Sequence, residues 1–410
     1  MGQQTTEIDL PLQGIKVLDL SRVFAGPLCG QVLGDMGAEV IKVEHPKRGD
    51  DTRDWGMRIG KTETTYYNSM NRNKRSITVD LQKPEGLALI HQLLPQFDVV
   101  IHNFKHGGAE KLGLGYEQLQ AIKPGIIYCC VTGYATDTPE AARPGYDILV
   151  QGEAGLMAMN GEATQPPLKF GVAVVDLMTG MSAAQAVLAA LFARERTGKG
   201  RKIEMALYDN GISITGYYGL DAMFLGKDPA RYGNAHPSIV PYGMFDAADG
   251  PLIIAVGNNA QFDKFCRDVI DRPDIADNPK YATNVERAKD RETLLPLMIS
   301  TIKSFPRAEL LKRLNACGIP CGEVLGLHEA LTSKRTQQAG LVQNMPHPVV
   351  GETPVFAPPV RMDGSRLPIR RAPPTLGEGT REVLQNLLSL SDEQLQALQA
   401  QGVLTLPEAR

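Results

Sequence analysis

The sequence predicts an α/β protein in which a large domain, built on a parallel doubly wound sheet, is joined to a smaller α+β domain. Short β-branched runs alternate with helical stretches from Ile15 to Tyr208. Strands separated by helical segments in this order imply βαβ units and a parallel sheet buried on both faces. Beyond residue 224 the alternation stops, and a hairpin followed by helices replaces it. At 410 residues the chain is longer than one core usually organises. The expected large domain spans 1–224 plus 331–410, and the small one 225–330.

Each element has its own signal. Ile15–Leu20 is the first strand, ending in the Gly/Pro loop Ser21–Pro27 and then a helix. Glu39–Glu44 and Ser76–Asp80 are the second and third strands. Pro84 stands at the N1-like position of a helix whose Leu87, Ile90, Leu93 and Leu94 share one face. Asp98–His102 follows as a strand, then a helix marked by Tyr116, Leu119 and Ile122 and ended by Pro124-Gly125. Ile126–Val131 and Lys202–Tyr208 complete the alternating series. Val240–Asp246 and Pro251–Val256 read as an antiparallel hairpin around Ala247–Gly250. Helices occupy Gln261 to Leu314, one of them capped at Ser304 with Pro306 just inside. Met345–Pro374 carries eight prolines and reads as an extended surface connection. Two short helices end the chain, the last opened by the capping box Ser391-x-x-Gln394.

Composition removes several classes of function. A net charge of −3 argues against a nucleic-acid partner, because a phosphate backbone demands a basic surface. Between Lys42 and Arg75, however, nine Lys/Arg stand against five acids. That stretch is either a solvated face or a site for a small polyanion. The six cysteines show no disulfide or zinc spacing, so reduced thiols in a cytoplasmic protein are expected, with no metal. The apolar run Leu177–Ala193 is broken by Thr179, Gly180, Ser182 and Gln185 and reads as a buried helix rather than a membrane span. No presequence is expected; Met1–Thr6 matches a myristoylation pattern short enough to arise by chance.

In a doubly wound sheet, ligands bind where the strands end. The first strand-to-helix loop, Ser21-Arg22-Val23-Phe24-Ala25-Gly26-Pro27, lacks the G-x-G-x-x-G fingerprint and disfavours a standard dinucleotide site. Its small residues still allow an anion to approach the helix amides. In Gly171–Met181 a carboxylate, Asp176, stands directly before a small-residue helix. It is either an ordinary N-cap or a nucleophile kept ionised by the helix dipole.

The chain resembles the family III CoA-transferases across nearly its whole length. The resemblance rests on VLDLSRVFAGP (17–27), GAEVIKVE (37–44), GDDTR (49–53), NRNKRSITVDL (71–81), NF (103–104) and RPGYD (143–147). VAVVDLMTGM (172–181), GNAHPSIVPY (233–242), GIPCGEV (318–324) and APPTLGEGT (372–380) extend it. Within the family it looks most like the enzymes that pass CoA from succinyl-CoA to dicarboxylic acids such as glutarate, itaconate or mesaconate.

The resemblance implies that Asp176 is the catalytic nucleophile, working through an aspartyl anhydride and an aspartyl-CoA thioester. It implies CoA contacts at Phe24, Ala25, His45, Val79, Gln82, Asn103, Phe104, Lys105, Lys111, Arg143 and Tyr146. Gln82 stands where relatives carry Lys, which puts a phosphate contact in doubt unless Lys83 replaces it. Lys111 stands where relatives often carry Arg. The basic stretch 42–75 then acquires a purpose beside CoA's phosphates. Arg53, Arg58 or His236 would hold the acceptor's far carboxylate. Oxyanion donors are expected from glycine-containing loops of the small domain. No permanently bound cofactor is implied; a CoA thioester is the co-substrate, and the protein is expected to be an interlinked homodimer that meets neither membrane nor nucleic acid. Two alternatives share the fold. An α-methylacyl-CoA racemase would need the His of a GHD motif where this chain has Gly145-Tyr146-Asp147. A non-catalytic CoA-binding protein would have no use for Asp176.

Overall fold

The structure, a computed structural model, describes residues 9–407. The Met1–Thr6 pattern lies outside them. Contacts divide the chain into two compact units. The larger comprises 9–156, 170–216 and 334–407; the smaller comprises 157–169 and 217–333. The smaller unit thus takes in a second, earlier stretch of chain.

The larger unit holds a six-stranded sheet of β1 (Lys16–Asp19), β2 (Glu39–Glu44), β3 (Lys74–Thr78), β4 (Val99–His102), β5 (Ile127–Thr132) and β6 (Arg201–Ala206). The order is β3-β2-β1-β4-β5-β6, and every pairing is parallel. Successive side chains of each strand point to opposite faces of the sheet. Leu18, Ile41, Ile77, Val100 and Tyr128 point into a core completed by α2 (Pro84–Leu93), α3 (Tyr116–Ile122), α10 (Thr380–Leu388) and α11 (Asp392–Ala400). Against the sheet and against each other pack α1 (Ala25–Asp35) and the long α5 (Val174–Thr197). Two shorter helices, α4 (Asp147–Glu153) and α6 (Leu207–Ser213), flank α5. By length and apolarity α5 would satisfy a membrane span; here Val175, Thr179, Gly180, Ala183, Ala184 and Val187 are buried against the fold.

The smaller unit contains the hairpin β7 (Tyr242–Ala247) and β8 (Gly250–Ala255), extended by β9 (Cys321–Glu323), with α8 (Arg291–Ile302) and α9 (Arg307–Ala316) among its helices. Ser304 does not cap α9. Its hydroxyl donates to the Thr301 carbonyl at 2.6 Å, and the Arg307 amide is taken by Asp249 at 2.6 Å.

The proline-rich stretch is not merely a connection. β10 (Val342–His347) and β11 (Gly351–Phe356) form an antiparallel hairpin, and Arg361–Met362 pairs with Ser365–Arg366. Pro346 and Pro354 fit because each strand of a two-stranded ribbon has a free edge where an amide is not needed. All six cysteines are free thiols.

Candidate active site

Strand order reverses direction between β1 and β4, so the loops leaving these two strands diverge at their carboxyl ends. Asn103, just past β4, ties that opening together: its side chain accepts from the Arg22 amide at 2.9 Å and donates to the Arg22 carbonyl at 2.7 Å. Beneath the same loop the Lys42 ammonium donates to the Ser21 carbonyl at 2.7 Å and pairs with Asp50 at 2.9 Å. Asp50 in turn accepts from the Val23 amide. Val23 is held at φ 74°, a left-handed conformation that β-branched residues rarely adopt. The chain then enters α1 at Ala25, with Phe24 at the cap position and no side chain bonded to the first amides.

α5 brings Asp176 to this opening. Arg194, near the other end of α5, pairs with Asp98 at the start of β4 at 3.0 Å, so the helix runs back along the sheet with its first turn at the strands' carboxyl ends. A Cβ on Gly180 would lie 2.6 Å from the Ala25 carbonyl oxygen; α5 and α1 approach this closely because there is none. Asp176 is not the N-cap. That position is Ala173, and Asp176 is the third residue of the helix. The capping acceptor comes from α4: Asp147 Oδ1 accepts from the Val175 amide at 2.8 Å and from the Asp176 amide at 3.3 Å. Gly133 and Gly145 touch backbone to backbone, which packs the loop before α4 against the end of β5.

The electrostatics differ from the expectation of a carboxylate held ionised. Burial pushes the Asp176 carboxyl up to about 7, and the negative charge of Asp147 pushes it the same way. Among the described residues no cation pairs with Asp176. Tyr66 is close enough that Asp176 and Asp147, after burial, raise its phenol's pKa; its ring meets the edges of Phe24 and Trp55 at centroid distances of 5.9 and 5.7 Å.

The basic stretch 42–75 is largely not a phosphate site, because its strongest charges are buried and spoken for. Lys42 pairs with Asp50, Lys74 with Asp19 at 2.9 Å, and Arg72 with Asp35 at 2.5 Å. Arg53 is 2% exposed, grips Glu44 bidentately at 2.7 Å on both oxygens, donates to the Thr62 and Pro374 carbonyls, and lies over the Tyr67 ring. Four of its five N–H donors are taken inside the fold, and its burial turns it away from a substrate in solvent. Arg58 is exposed, bonded to Asp54 and to the Lys61 carbonyl at 2.7 Å each. His236 belongs to the smaller unit, where its ring sits beside Tyr242 and Tyr217.

Phe24, Ala25 and Asn103 come together at the opening beside Asp176. His45 follows β2 directly, its pKa lowered by burial and then by Arg48 and Lys47. Val79 is buried behind the end of β3, whereas Gln82 is exposed. The ammonium of the neighbouring Lys83 donates to the Gln401 carbonyl. Phe104 and Lys105 line a cavity of about 380 Å³ at the ends of β4, β5 and β6, and Lys111 is exposed just beyond it. Arg143 lines a different cavity, of about 420 Å³, tied to Glu140 and to Glu153 at 2.5 Å over the Tyr134 ring. Tyr146 occupies the N-cap position of α4 without a side-chain cap bond and is 53% exposed. Asp147, Gln151 and Tyr66 were given no role by sequence. The four-residue spacing of Asp147 and Gln151, which puts both on one helix face, was the available signal.

A doubly wound sheet whose switch point faces an unpaired, half-buried carboxylate defines an α/β enzyme of carboxylate chemistry. The profile of CoA-transferase family III matches residues 12–380. The human succinyl-CoA:glutarate CoA-transferase is 38% identical over 96% of this chain and 90% of its own. The succinate–glutarate CoA-transferase of Agrobacterium fabrum is 39% identical over 92% and 96%. Among solved structures, a CAIB/BAIF family protein from Brucella suis superposes with a TM-score of 0.81 at 39% identity, covering 92% of this chain and 99% of that one. The chain therefore belongs to CoA-transferase family III, and it is a CoA-transferase.

Proposed function

We propose that this enzyme moves CoA from an acyl-CoA donor, succinyl-CoA in the first instance, to a short dicarboxylic acid of the glutarate, itaconate or mesaconate class, with Asp176 as nucleophile. The observation that carries the reading is the carboxyl of Asp176, unpaired and half-buried in the first turn of α5 beside Phe24 and Ala25. The printed activities of the human and Agrobacterium relatives supply the substrate class.

Ionised Asp176 attacks the donor thioester carbonyl, forming a mixed anhydride and expelling CoA thiolate. The thiolate attacks the aspartyl carbonyl, which releases the donor acid and leaves an aspartyl-CoA thioester. The acceptor carboxylate attacks that thioester and expels the thiolate again. Thiolate attack on the acceptor's carbonyl then yields the new acyl-CoA and frees Asp176. A carboxylate made basic by burial is the better nucleophile once ionised. CoA is held by Phe24, Ala25, His45, Val79, Gln82, Asn103, Phe104, Lys105, Lys111, Arg143 and Tyr146. With Arg53 committed to Glu44, Arg58 or His236 remains to receive the acceptor's far carboxylate. The protein acts as a homodimer, a reading supported by the exposed Leu220, Met223, Phe224 and Leu225 on the helix Gly216–Leu225, an apolar surface a second copy would cover.

Asp176→Ala is expected to fold, bind CoA and lose transfer by several orders of magnitude, and hydroxylamine added during turnover should modify Asp176 alone. Full activity in the alanine variant removes the nucleophile. Equal rates with acetate and glutarate as acceptors remove the dicarboxylate.

A further inference from the structure

α4 carries two side chains whose hydrogen bonds end on the segment that delivers the nucleophile. Asp147 and Gln151 are one turn apart on the same face of α4. Gln151 is completely buried. Its Oε1 accepts from the Phe170 amide at 2.9 Å, and its Nε2 donates to Asp147 Oδ2 at 2.6 Å. The other oxygen of Asp147 takes the Val175 and Asp176 amides. Both ends of the stretch 170–176 are therefore fastened to one helix face, and every polar atom of the Gln151 amide plane that bonds within this group faces a fixed partner.

We infer that Asp147 and Gln151 form a positioning pair for the nucleophile: Gln151 locks the Asp147 carboxylate, and Asp147 fixes the backbone of Asp176 while placing a second negative charge beside it. The inference rests on Asp176 being the nucleophile. A neutral acceptor such as Ser or Asn would cap α5 equally well. A carboxylate differs from these in its charge, which opposes ionisation of Asp176 and makes the ionised form more reactive.

The charges around Asp176 are few. α1 brings no charged side chain before Asp35. From the turn Thr65–Asn68 comes Tyr66, whose phenol has its pKa raised and stays neutral near pH 7. Asp209 on α6 lines the Arg143 cavity, and Lys202 and Glu204 on β6 pair with each other at 3.0 Å in the other cavity. Asp147 is thus the charge that bears on Asp176.

Profiles of kcat/KM against pH for the full-length enzyme, with succinyl-CoA and glutarate, separate the two contributions. Asp147→Asn keeps an acceptor oxygen and removes the charge, so its acid limb should move down by about one pH unit. Gln151→Leu keeps the charge and loosens the geometry; kcat should fall about tenfold with KM for CoA ester and the acid limb little changed. Both profiles superimposing on that of the parent overturns the inference. Should Asp147→Asn not fold, Gln151→Leu decides alone, and an unchanged kcat overturns it. Hydroxylamine labelling of the parent distinguishes the levels. No label on Asp176 sinks the nucleophile itself, whereas label on Asp176 with unmoved profiles sinks only the positioning pair.

Discussion

Two groups of charged residues lie close together at the strands' carboxyl ends, and they are built on opposite terms. Under the first loop, Asp19, Lys42, Glu44, Asp50, Arg53 and Lys74 are buried, and each faces a partner of opposite sign. At the start of α5, Asp176 faces another carboxylate. In the first group burial is offset by pairing, and the Glu44 carboxyl is held down at about 2 by Arg53, against the upward pull of burial. In the second nothing offsets it, and the carboxyl rises to about 7. Charges that have found their partners hold the loop still; the one that has none is available to a substrate.

Removing a charge should therefore change stability in opposite directions at the two places. Arg53→Leu leaves Glu44 buried and unpaired and should cost about 3–5 kcal/mol in a denaturant titration. A loss below about 1 kcal/mol would mean that the layer is wetter than it looks. Asp176→Asn should instead stabilise. A carboxyl raised in the folded state favours folding at low pH and loses that advantage as pH climbs from the usual carboxylate range to about 7. The gain of the Asn variant should appear over that window and level off above it, at about 1–3 kcal/mol after allowance for partial exposure. Equal stability of parent and variant at pH 4 and pH 8 would contradict the raised carboxyl.

Glu44 runs the other way. Its depressed pKa contributes stability that is complete above pH 4.5 and disappears as pH falls toward about 2. The stability gap between the parent and Arg53→Leu, read from denaturant titrations, should therefore be widest above pH 4.5 and narrow as pH falls toward about 2. The smallest effect belongs to Arg58, an exposed partner of Asp54. Arg58→Ala should leave stability within about 0.5 kcal/mol. A rise in KM for glutarate in that variant, with KM for acetate unchanged, would assign it the acceptor's far carboxylate.

The sheet was legible because its central strands β4 and β5 are buried along nearly their whole length and helical segments separate the strand runs. The hairpin at 342–356 was hidden by Pro346 and Pro354, which argue against a central strand but not against a ribbon with two free edges. The motif singles out Asp176, yet its place inside the helix was not legible. The acceptor that replaces an N-cap side chain comes from Asp147, far away in sequence, and no local pattern shows it. The basic stretch misled for a related reason. Sequence counts charges, and whether Lys42, Arg53, Arg72 and Lys74 face solvent or an acid depends on a fold that brings Asp19, Asp35, Glu44 and Asp50 to them.

Gly180 adds a mechanical consequence. The wall between the loop at Ala25 and the helix that carries Asp176 is one backbone thick, because nothing projects from position 180. Substitutions on the outer side of α5, where Met181 and Phe192 are exposed, alter what the helix meets outside the fold. A methyl group at 180 would alter distance itself, since 2.6 Å to a carbonyl oxygen is well inside ordinary contact. The placement of Asp176 is calibrated by an atom the chain leaves out.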